Sequence, residues 1–393
     1  KYLLPKIHLI SPPHMNVRWN DREQVTDAYS TKIYLICRKL VEEGHEVAYY
    51  GVENNNCVCT ENIPYIPYDV WYRSHGSRSA QDWHEFGNEL ESYQYAEEHL
   101  LEKITENFKP NNNEVVLSTF GLWSQKLKQL PSPVIEWGIG YDYPWSNYKV
   151  FESYAWQHIQ YARLGDNFDV VGPKWFDAVI PGYVDKDQFT FKKEKQDYFL
   201  FIGRIMETKG IQIAMQLAEK YKTKLIVAGN GHTEIVANKP YVEYVGCADL
   251  DEKRELFANA KATLCMSQYV EPFGNVHIES LMSGTPVITT DFGVYTETVP
   301  NGLVGYRGRV WEDHCYGIEN LDKIDPQDCR DWAEANFSME AVYPKFNSYF
   351  KKCVTIEQDG IHPWYHEGED KEYPKRFADY YLDYKKFKEN KNG

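Results

Sequence analysis

The sequence lacks an excess of basic residues. Its 393 residues include 43 Lys and Arg against 58 Asp and Glu, which gives a net charge of −15. A general nucleic-acid binder needs clustered Lys and Arg to contact the phosphates, so this composition argues against that class. We therefore expect no nucleic-acid partner.

The sequence also lacks a long apolar run. No uninterrupted stretch approaches the ~18 residues that a membrane-spanning helix needs. The first residues, KYLLPKIHLISPP, are too short and too soon broken by proline for a signal peptide. The eight cysteines are scattered along the chain, which favours free buried thiols over a disulfide framework. We therefore expect an intracellular, cytoplasmic protein without a transmembrane segment.

Several common ligand-binding motifs are missing. No Gly-Lys pair occurs, which excludes the phosphate-binding loop of nucleoside triphosphatases, and the HExxH zinc motif is absent. The GxG fragments at 138–140 and 229–231 have no glycine three positions on, so the dinucleotide-binding fingerprint fails. Asp-x-Asp triplets at 185–187 and 249–251 are better explained by solvated charges and a helix cap than by a metal site. A nicotinamide oxidoreductase is therefore disfavoured but stays open.

What is present is two series of alternating strands and helices, which predict two α/β domains in tandem. The first series begins with a strand at 7–10 and an amphipathic helix that ends at Gly44, and the second begins near 198. Strand, helix, strand is the repeating unit of a parallel sheet. Residues 51–84 show little periodicity, so we expect them to be excursions at the sheet edge. The predicted strands are 7–10, 47–50, 115–118, 134–137, 198–202, 225–228, 242–245, 262–265 and 286–289.

The segment FIGRIMETKG, at the end of the strand at 198–202, carries the first chemical signal. It places Gly203 where the backbone can approach a ligand, followed by Arg204 and Lys209 on either side of a turn. The two cations can converge on one anion, and the N-terminus of the next helix adds positive potential. This spacing predicts a diphosphate site. A surface Arg and Lys on a solvated turn is the alternative for this segment alone.

The segment VEPFGNVHIESLMSGTPVITTDFG carries the second signal. Pro272-Phe273-Gly274 turns the chain into a helix that starts near Asn275, so backbone N–H groups around 274–276 point outward for another anion contact. Glu279 lies about one turn into that helix, where its carboxylate can accept hydrogen bonds from a ribose diol. Glu271 lies before the turn, on a loop that we expect to face the cleft between the domains.

Together the two segments resemble the donor-site signature of glycosyltransferase family 4, and VIPGYVDKDQF resembles the linker ahead of the second domain in such enzymes. The resemblance is close over about 178–300 and holds elsewhere only in layout. It implies an α/β protein of the GT-B fold, with two Rossmann-like domains that face a central cleft. An N-terminal acceptor domain would span 1–180 and a C-terminal donor domain 181–340. The aromatic helical tail at 341–393 would pack back on the N-terminal domain.

The resemblance also implies the activity. It is retaining transfer of a hexose-type sugar from a nucleotide-sugar, such as a UDP- or GDP-sugar, to a glycan or other hydroxyl acceptor, with no metal or other cofactor. By position, Arg204 and Lys209 would neutralise the leaving diphosphate, Glu279 would hold the ribose and Glu271 would contact the donor sugar. Catalytic roles are thus expected for Glu271, Arg204 and Lys209. The implied donor site comprises Gly203, Arg204, Lys209, Glu271, Phe273, Gly274, Asn275, Val276 and Glu279.

The first domain departs from the family pattern. The loop after its first strand is Ser11-Pro12-Pro13-His14-Met15 instead of a Gly-rich loop, and the histidine that family members often have near the middle strands is missing. Glu136, Tyr141, Asp142 and His158 are candidates for a catalytic or acceptor-binding partner, each with a structural explanation as well. A nucleotide-sugar epimerase or a phosphorylase of related fold stays open, as does a non-catalytic nucleotide-sugar or glycan-binding protein.

Overall fold

The structure, a computed structural model, separates into two compact units. Unit 1 contains the described residues up to Pro181 and those at 342–359, and unit 2 contains 182–341 and 379–392. The residues that the structure describes are 4–19, 28–76, 87–109, 113–164, 172–174, 176–359 and 379–392.

Unit 1 is built on a parallel sheet with helices on it. Its strands are β1 (Lys6–Ile10), β2 (Val47–Val52), β3 (Glu61–Ile66), β4 (Glu114–Ser118), β5 (Val134–Ile139), β6 (Tyr148–Phe151) and β7 (Ala178–Val179). Its helices include α1 (Ala28–Glu42), α2 (Tyr68–His75), α3 (Glu91–Asn107) and α4 (Tyr154–Leu164). Among the described residues this sheet has seven strands in the order β3-β2-β1-β4-β5-β6-β7. Strand β2, VAYYGV, is buried at every position, as expected for a central strand covered on both faces.

Unit 2 repeats this architecture. Its strands are β8 (Tyr198–Ile202), β9 (Lys224–Ala228), β10 (Val242–Gly246), β11 (Ala262–Cys265), β12 (Val287–Thr290) and β13 (Gly305–Gly308). Its helices include α5 (Ile211–Tyr221), α6 (Leu250–Asn259), α7 (Val276–Met282), α8 (Tyr295–Thr298), α9 (Trp311–Glu319) and α10 (Pro326–Phe337). The sheet has six strands among the described residues, all parallel, in the order β10-β9-β8-β11-β12-β13.

The strand order of unit 2 reverses between β8 and β11. Strands β9 and β10 lie on one side of β8, and β11 to β13 continue on the other. In open α/β sheets, ligands bind outside the carboxyl ends of the strands at such a reversal, because the two following loops diverge and leave a crevice. The loops after β8 and β11 are therefore the parts of unit 2 best placed to hold a ligand.

All the strands predicted from sequence overlap strands of the structure, but some observed strands were not predicted. Strand β3 and helix α2 lie in the region where only excursions were expected. Glu61, Asn62 and Pro64 in β3 are exposed, since β3 is an edge strand, and it therefore lacks the apolar run that identifies central strands. Strands β6, β7 and β13 have at most four residues each, too few for a clear pattern.

A buried ion pair lies in the core of unit 1. Lys149 Nζ on β6 lies 3.3 Å from Asp177 Oδ1, and both side chains are fully buried. The Tyr161 hydroxyl donates a hydrogen bond of 2.7 Å to the other oxygen of Asp177. Burial lowers the pKa of Lys149 and raises that of Asp177, and the attraction between the two charges opposes both shifts.

The C-terminal tail divides between the units. Helix α11 (Met339–Asp359) packs on unit 1 as predicted, with Tyr343 OH 3.0 Å from His45 Nε2. The prediction is wrong for helix α12 (Asp379–Asn392), which packs on unit 2. Lys388 and Lys391 of α12 bind the Asp331 carboxylate of α10 at 2.8 and 2.6 Å, so charge complementarity places this helix.

Two expectations about composition can be compared with the structure. All eight cysteines are free thiols, as expected, and most are buried, but Cys59 and Cys247 are only half-buried. In the described part of the chain, every helix is too short or too polar to cross a lipid bilayer.

Candidate functional site

The loop after β8 is shaped by two glycines. Gly203 has a φ of +137°, and Gly210 has a φ of +72° immediately before α5. A Cβ atom on Gly210 would lie 2.0 Å from the carbonyl oxygen of Met266, so only glycine fits there. Gly210 thus brings the loop that carries Lys209 against the chain that follows β11.

The close approach of these two loops joins Lys209 to Glu271. Lys209 Nζ lies 2.9 Å from Oε1 and 2.8 Å from Oε2 of Glu271. The Glu271 carboxylate accepts two more hydrogen bonds: Ser267 Oγ donates to Oε2 and Tyr269 OH donates to Oε1, both at 2.8 Å. Glu271 is 7% exposed, and Lys209 Nζ also lies 5.0 Å from the centre of the Tyr269 ring. The structure therefore brings two predicted site residues into direct contact at the strand reversal.

The electrostatics of this cluster favour an ionised Glu271. Burial by itself raises the pKa of a carboxyl group. Here the charge of Lys209 and the hydrogen bonds from Lys209, Ser267 and Tyr269 outweigh burial and lower the pKa of Glu271. Glu271 is therefore a carboxylate at neutral pH, able to accept hydrogen bonds but not to donate them.

Arg204 and Glu279 belong to the same neighbourhood. Burial and Glu271 raise the pKa of the Tyr269 hydroxyl, and the charge of the exposed Arg204 opposes them. Burial raises the pKa of the Cys265 thiol at the end of β11 to about 12; Glu271 and Glu279 add to this shift and Lys209 reduces it. The charges predicted for the donor site thus act on shared neighbours at the carboxyl ends of the strands.

Glu279 has its own partner. It lies in the first turn of α7 and is 8% exposed, and Lys253 Nζ of helix α6 donates to its Oε1 at 3.0 Å. One carboxylate oxygen is thus bound to an ammonium, and the orientation of the other is thereby restricted. Glu279 and Glu271 accordingly hold different lysines.

The turn between Glu271 and Glu279 partly exposes some of the predicted donor-site residues and buries others. Gly274 has a φ of +71°, and a Cβ atom there would lie 2.9 Å from Cγ of Glu271. Asn275 immediately precedes α7, and its buried Oδ1 has no hydrogen-bond partner within the described residues. Val276, the first residue of α7, is partly buried against the core. The side chain of Phe273, another predicted donor-site residue, is 1% exposed and packs in the apolar core, so only its backbone is available to a ligand.

Sequence reasoning missed several residues that hold the site together. Ser267 and Tyr269 lie only four and two positions before Glu271, so the residues immediately ahead of the motif could have identified them. Lys253 gave no local signal, because it lies 26 residues from Glu279. His277 is fully buried between Gly274 O at 2.6 Å and Thr298 Oγ1 at 2.9 Å, and burial lowers its pKa to about 4. His277 is therefore a neutral side chain that fixes the turn.

The candidates in unit 1 are mainly structural. Glu136 is fully buried and accepts from the Trp145 and Ser146 amides at 2.6 and 3.0 Å and from Tyr141 OH at 2.8 Å. Burial raises its pKa to about 7. Asp142 accepts from Gln160 Nε2 at 2.7 Å. His158, the last candidate, is exposed on helix α4.

The Asp-x-Asp triplets have structural roles. Asp249 accepts from the Glu252 amide at 2.9 Å and caps α6, which confirms the predicted helix cap. Asp185 was expected to be solvated, but it is 8% exposed and accepts from the Asp187 amide at 3.0 Å. In the part of the chain that the structure describes, no group of three or more His, Cys, Asp or Glu side chains is arranged to hold a metal ion.

Comparison with known proteins places these features in a wider context. Residues 184–312 match the family model described as glycosyl transferases group 1. The O-antigen chain mannosyltransferase RfbU of Salmonella typhimurium strain LT2 is 28% identical over 158 residues, which cover 37% of this chain and 44% of RfbU. A glycogen synthase of Mycobacterium tuberculosis strain H37Rv is 33% identical over 119 residues, 27% of this chain and 28% of the synthase. The chain thus spans less than half of the length of these curated relatives.

The similarity to solved structures extends over both units. The crystal structure of AviGT4, a glycosyltransferase involved in avilamycin A biosynthesis, superposes with a TM-score of 0.61. The match covers 89% of this chain and 98% of AviGT4 at 19% identity, which establishes the fold alone. The predicted GT-B fold, with two Rossmann-like domains, is therefore confirmed, and unit 2 carries a segment that matches the glycosyl transferases group 1 family.

Proposed function

We propose that this chain is a retaining glycosyltransferase. It moves a hexose-type sugar from a UDP- or GDP-sugar to a glycan or other hydroxyl acceptor, without a metal. The observation that carries the proposal is the buried Lys209–Glu271 pair at the strand reversal of unit 2, inside the segment matched by the family model. The names of the relatives, a mannosyltransferase and a glycogen synthase, support a hexose as the transferred sugar.

The cations of unit 2 would act on the leaving group. Transfer would break the bond between the anomeric carbon and the diphosphate oxygen, and the acceptor oxygen would bond to that carbon as its hydroxyl proton passes to the departing diphosphate. Negative charge grows on the departing nucleoside diphosphate. Arg204, Lys209 and the N-terminus of the 11-residue helix α5 would stabilise it. An ammonium has three N–H groups, so Lys209 can bind Glu271 and a phosphate oxygen at once.

The two glutamates would recognise the sugars of the donor. Glu271, held by Ser267 and Tyr269, would accept hydrogen bonds from hydroxyls of the transferred sugar, and its lowered pKa keeps it ionised for that purpose. Glu279 would accept from the ribose diol, with Lys253 fixing its orientation. Phosphate or sugar oxygens would meet backbone N–H groups near 274–276.

The proposal is tested by turnover with UDP- and GDP-sugars and a panel of glycan acceptors. We expect Lys209→Ala and Arg204→Ala each to lower turnover by roughly 100-fold or more, the range found when one preorganised electrostatic contact is removed. Lys224→Ala is the matched control, because Lys224 lies on β9 of the same unit and pairs with Glu243 at the surface. Unchanged turnover in both site variants would reject the diphosphate assignment.

Two further assays separate this activity from its alternatives. We expect turnover to survive excess EDTA; a strict loss that manganese restores would contradict the metal-independent mechanism. Incubation with the donor alone identifies an epimerase if the sugar changes without an acceptor, and phosphate-dependent release of a sugar phosphate identifies a phosphorylase. Nucleotide binding with no transfer or hydrolysis across the panel would instead indicate a binding protein.

A further inference from the structure

A cavity lies in unit 2, at the carboxyl ends of β12 and β13. Its volume is about 590 Å³, within the range of small-molecule sites. The first turns of α5 and α9 and the loops after β11 and β12 form its wall. Among the side chains that line it are Ile213, Gln268, Phe292, Arg309, Trp311 and His314. None of the predicted donor-site residues is in its lining.

The wall of this cavity exposes large apolar side chains. Phe292 is 36% exposed and Val310 is 54% exposed, and the partly buried Trp311 lies next to Val310 in the lining. Apolar groups exposed together beside a concave surface are typical of a binding site. The face of an aromatic ring is electronegative and attracts the weakly positive C–H bonds on one face of a pyranose ring.

The charged groups around the cavity balance one another. Asp291 accepts from Arg307 Nε and Arg309 Nε, both at 2.9 Å, and Asp313 accepts from the Arg309 amide at 2.9 Å. Both guanidinium groups therefore bind Asp291, whereas Asp313 is held by a backbone N–H group, and the two positive and two negative formal charges around the cavity cancel. The cavity therefore has no excess positive charge to attract a phosphorylated or otherwise anionic ligand, and it suits a neutral polar ligand better.

The lining also offers hydrogen-bonding groups that suit hydroxyls. The exposed polar groups are the Arg309 guanidinium, whose side chain is 74% exposed, and the Gln268 side-chain amide, which supply donors and an acceptor. His314 also lines the cavity, but it is 5% exposed and its Nδ1 is buried. Aromatic faces combined with a neutral polar rim match the chemistry of a carbohydrate, which has an apolar ring face and hydroxyls around its edge.

We propose that this cavity binds a neutral hexose unit of a glycan, at a site distinct from the Lys209–Glu271 cluster. The proposal goes beyond the proposed function, because binding here needs no nucleotide. The two sites are neighbours: the backbone N–H of Gln268 donates to Thr208 O at 2.7 Å, so one loop lines the cavity and holds the chain beside Lys209. A glycan held in the cavity would be retained close to the donor site of unit 2.

Saturation-transfer difference NMR on the full chain tests the proposal, with maltopentaose, mannopentaose and chitopentaose as probes. We expect at least one probe to give signals, and Phe292→Ala and Trp311→Ala each to weaken its binding by about tenfold. The control is Tyr316→Ala, which removes a 57% exposed aromatic ring from α9 outside the cavity lining and should leave binding unchanged. If Trp311→Ala fails to fold, because Trp311 also packs on the core, the loop variant Phe292→Ala decides the test.

A donor-site variant distinguishes the two sites. We expect Lys209→Ala to keep the saccharide signals while it weakens UDP or GDP binding measured on the same sample. No signal from any probe with the folded wild type would overturn the proposal, and so would full binding by both cavity variants. Signals lost in Lys209→Ala but kept in Phe292→Ala would assign the saccharide to the donor site instead. A wild type that binds saccharide but no nucleotide would reject the proposed function and leave this inference standing.

Discussion

The Lys209–Glu271 pair should stabilise unit 2 measurably. Lys209→Met keeps most of the alkyl chain but removes the ammonium, which leaves a carboxylate that is 7% exposed with the Ser267 and Tyr269 hydroxyls as its remaining side-chain donors. Breaking a fully buried ion pair in this way costs about 3–5 kcal/mol. The Lys209 side chain is 20% exposed and two hydrogen bonds persist, so we expect a loss of about 2–3 kcal/mol in the free energy of unfolding at neutral pH.

This loss should depend on pH. In the wild type the pKa of Glu271 is lowered, so the ionised Glu271 stabilises the folded protein. This stabilisation is complete at pH values above the ordinary pKa of 4.5, and it is lost as the pH falls through the folded-state pKa. In Lys209→Met, burial is no longer outweighed by the ammonium, and the folded-state pKa rises. The variant then takes up a proton on folding at low pH. The stability difference between the two proteins is therefore largest at neutral pH and shrinks as the pH falls.

Urea denaturation followed by tryptophan fluorescence measures both effects. A double-mutant cycle with Lys209→Met and Glu271→Gln isolates the interaction free energy between the two side chains, which we expect to be roughly 1–3 kcal/mol. The control is Lys224→Met, since the Lys224–Glu243 pair has a similar separation of 2.7 Å but both side chains are more than half exposed. An exposed pair contributes at most about 1 kcal/mol.

Three results would refute this reasoning. Additive single variants would show that the two side chains do not interact in the folded protein. A cost for Lys209→Met no larger than that for Lys224→Met would show that the pair is not shielded from water. A stability difference that stays constant from neutral to acidic pH would show that Glu271 does not titrate as its surroundings require.

Other parts of the chain give independent predictions. Lys149→Met should cost about 3–5 kcal/mol, because it leaves Asp177 buried without its cation, and adding Asp177→Asn should recover much of that loss in urea denaturation. Because burial lowers the pKa of His277 from 6.5 to about 4, the unfolded chain binds the proton first as the pH falls. The wild type should thus lose roughly 2–3 kcal/mol between neutral pH and about pH 4.5 that His277→Gln does not lose; equal losses would contradict this. Gly210→Ala should lower the thermal midpoint far more than Gly302→Ala, since both have positive φ but only the first meets a backbone atom within 3 Å; similar shifts would argue against the close loop contact.

The central strands and the charged loops could be predicted from local sequence. A buried parallel strand is a short apolar run whatever its position in the sheet, so the strands at 198–202 and 262–265 were identified without knowledge of their neighbours. Arg204 and Lys209 were singled out because a loop between a strand and a helix N-terminus is an anion site in many folds. Both inferences depend only on residues close together in the chain.

The partners of the site residues could not be predicted in the same way. Lys209 and Glu271 are 62 residues apart, and they meet because β8 and β11 are neighbours at the strand reversal. Phe273 belongs to the donor-site motif, yet its side chain turns into the core, a direction that depends on the surrounding helices. The cavity beside β12 and β13 likewise combines residues from four separate segments.

The sequence by itself therefore determined the two α/β series, the residue types of the anion site and the glutamates beside it, because periodicity, loop composition and motif spacing are local properties. Only the tertiary structure decided which lysine neutralises which glutamate, which unit receives helix α12, and where an aromatic cavity forms. The physical reason is that ion pairs and cavities depend on distances across space, and those distances are set by strand order and packing.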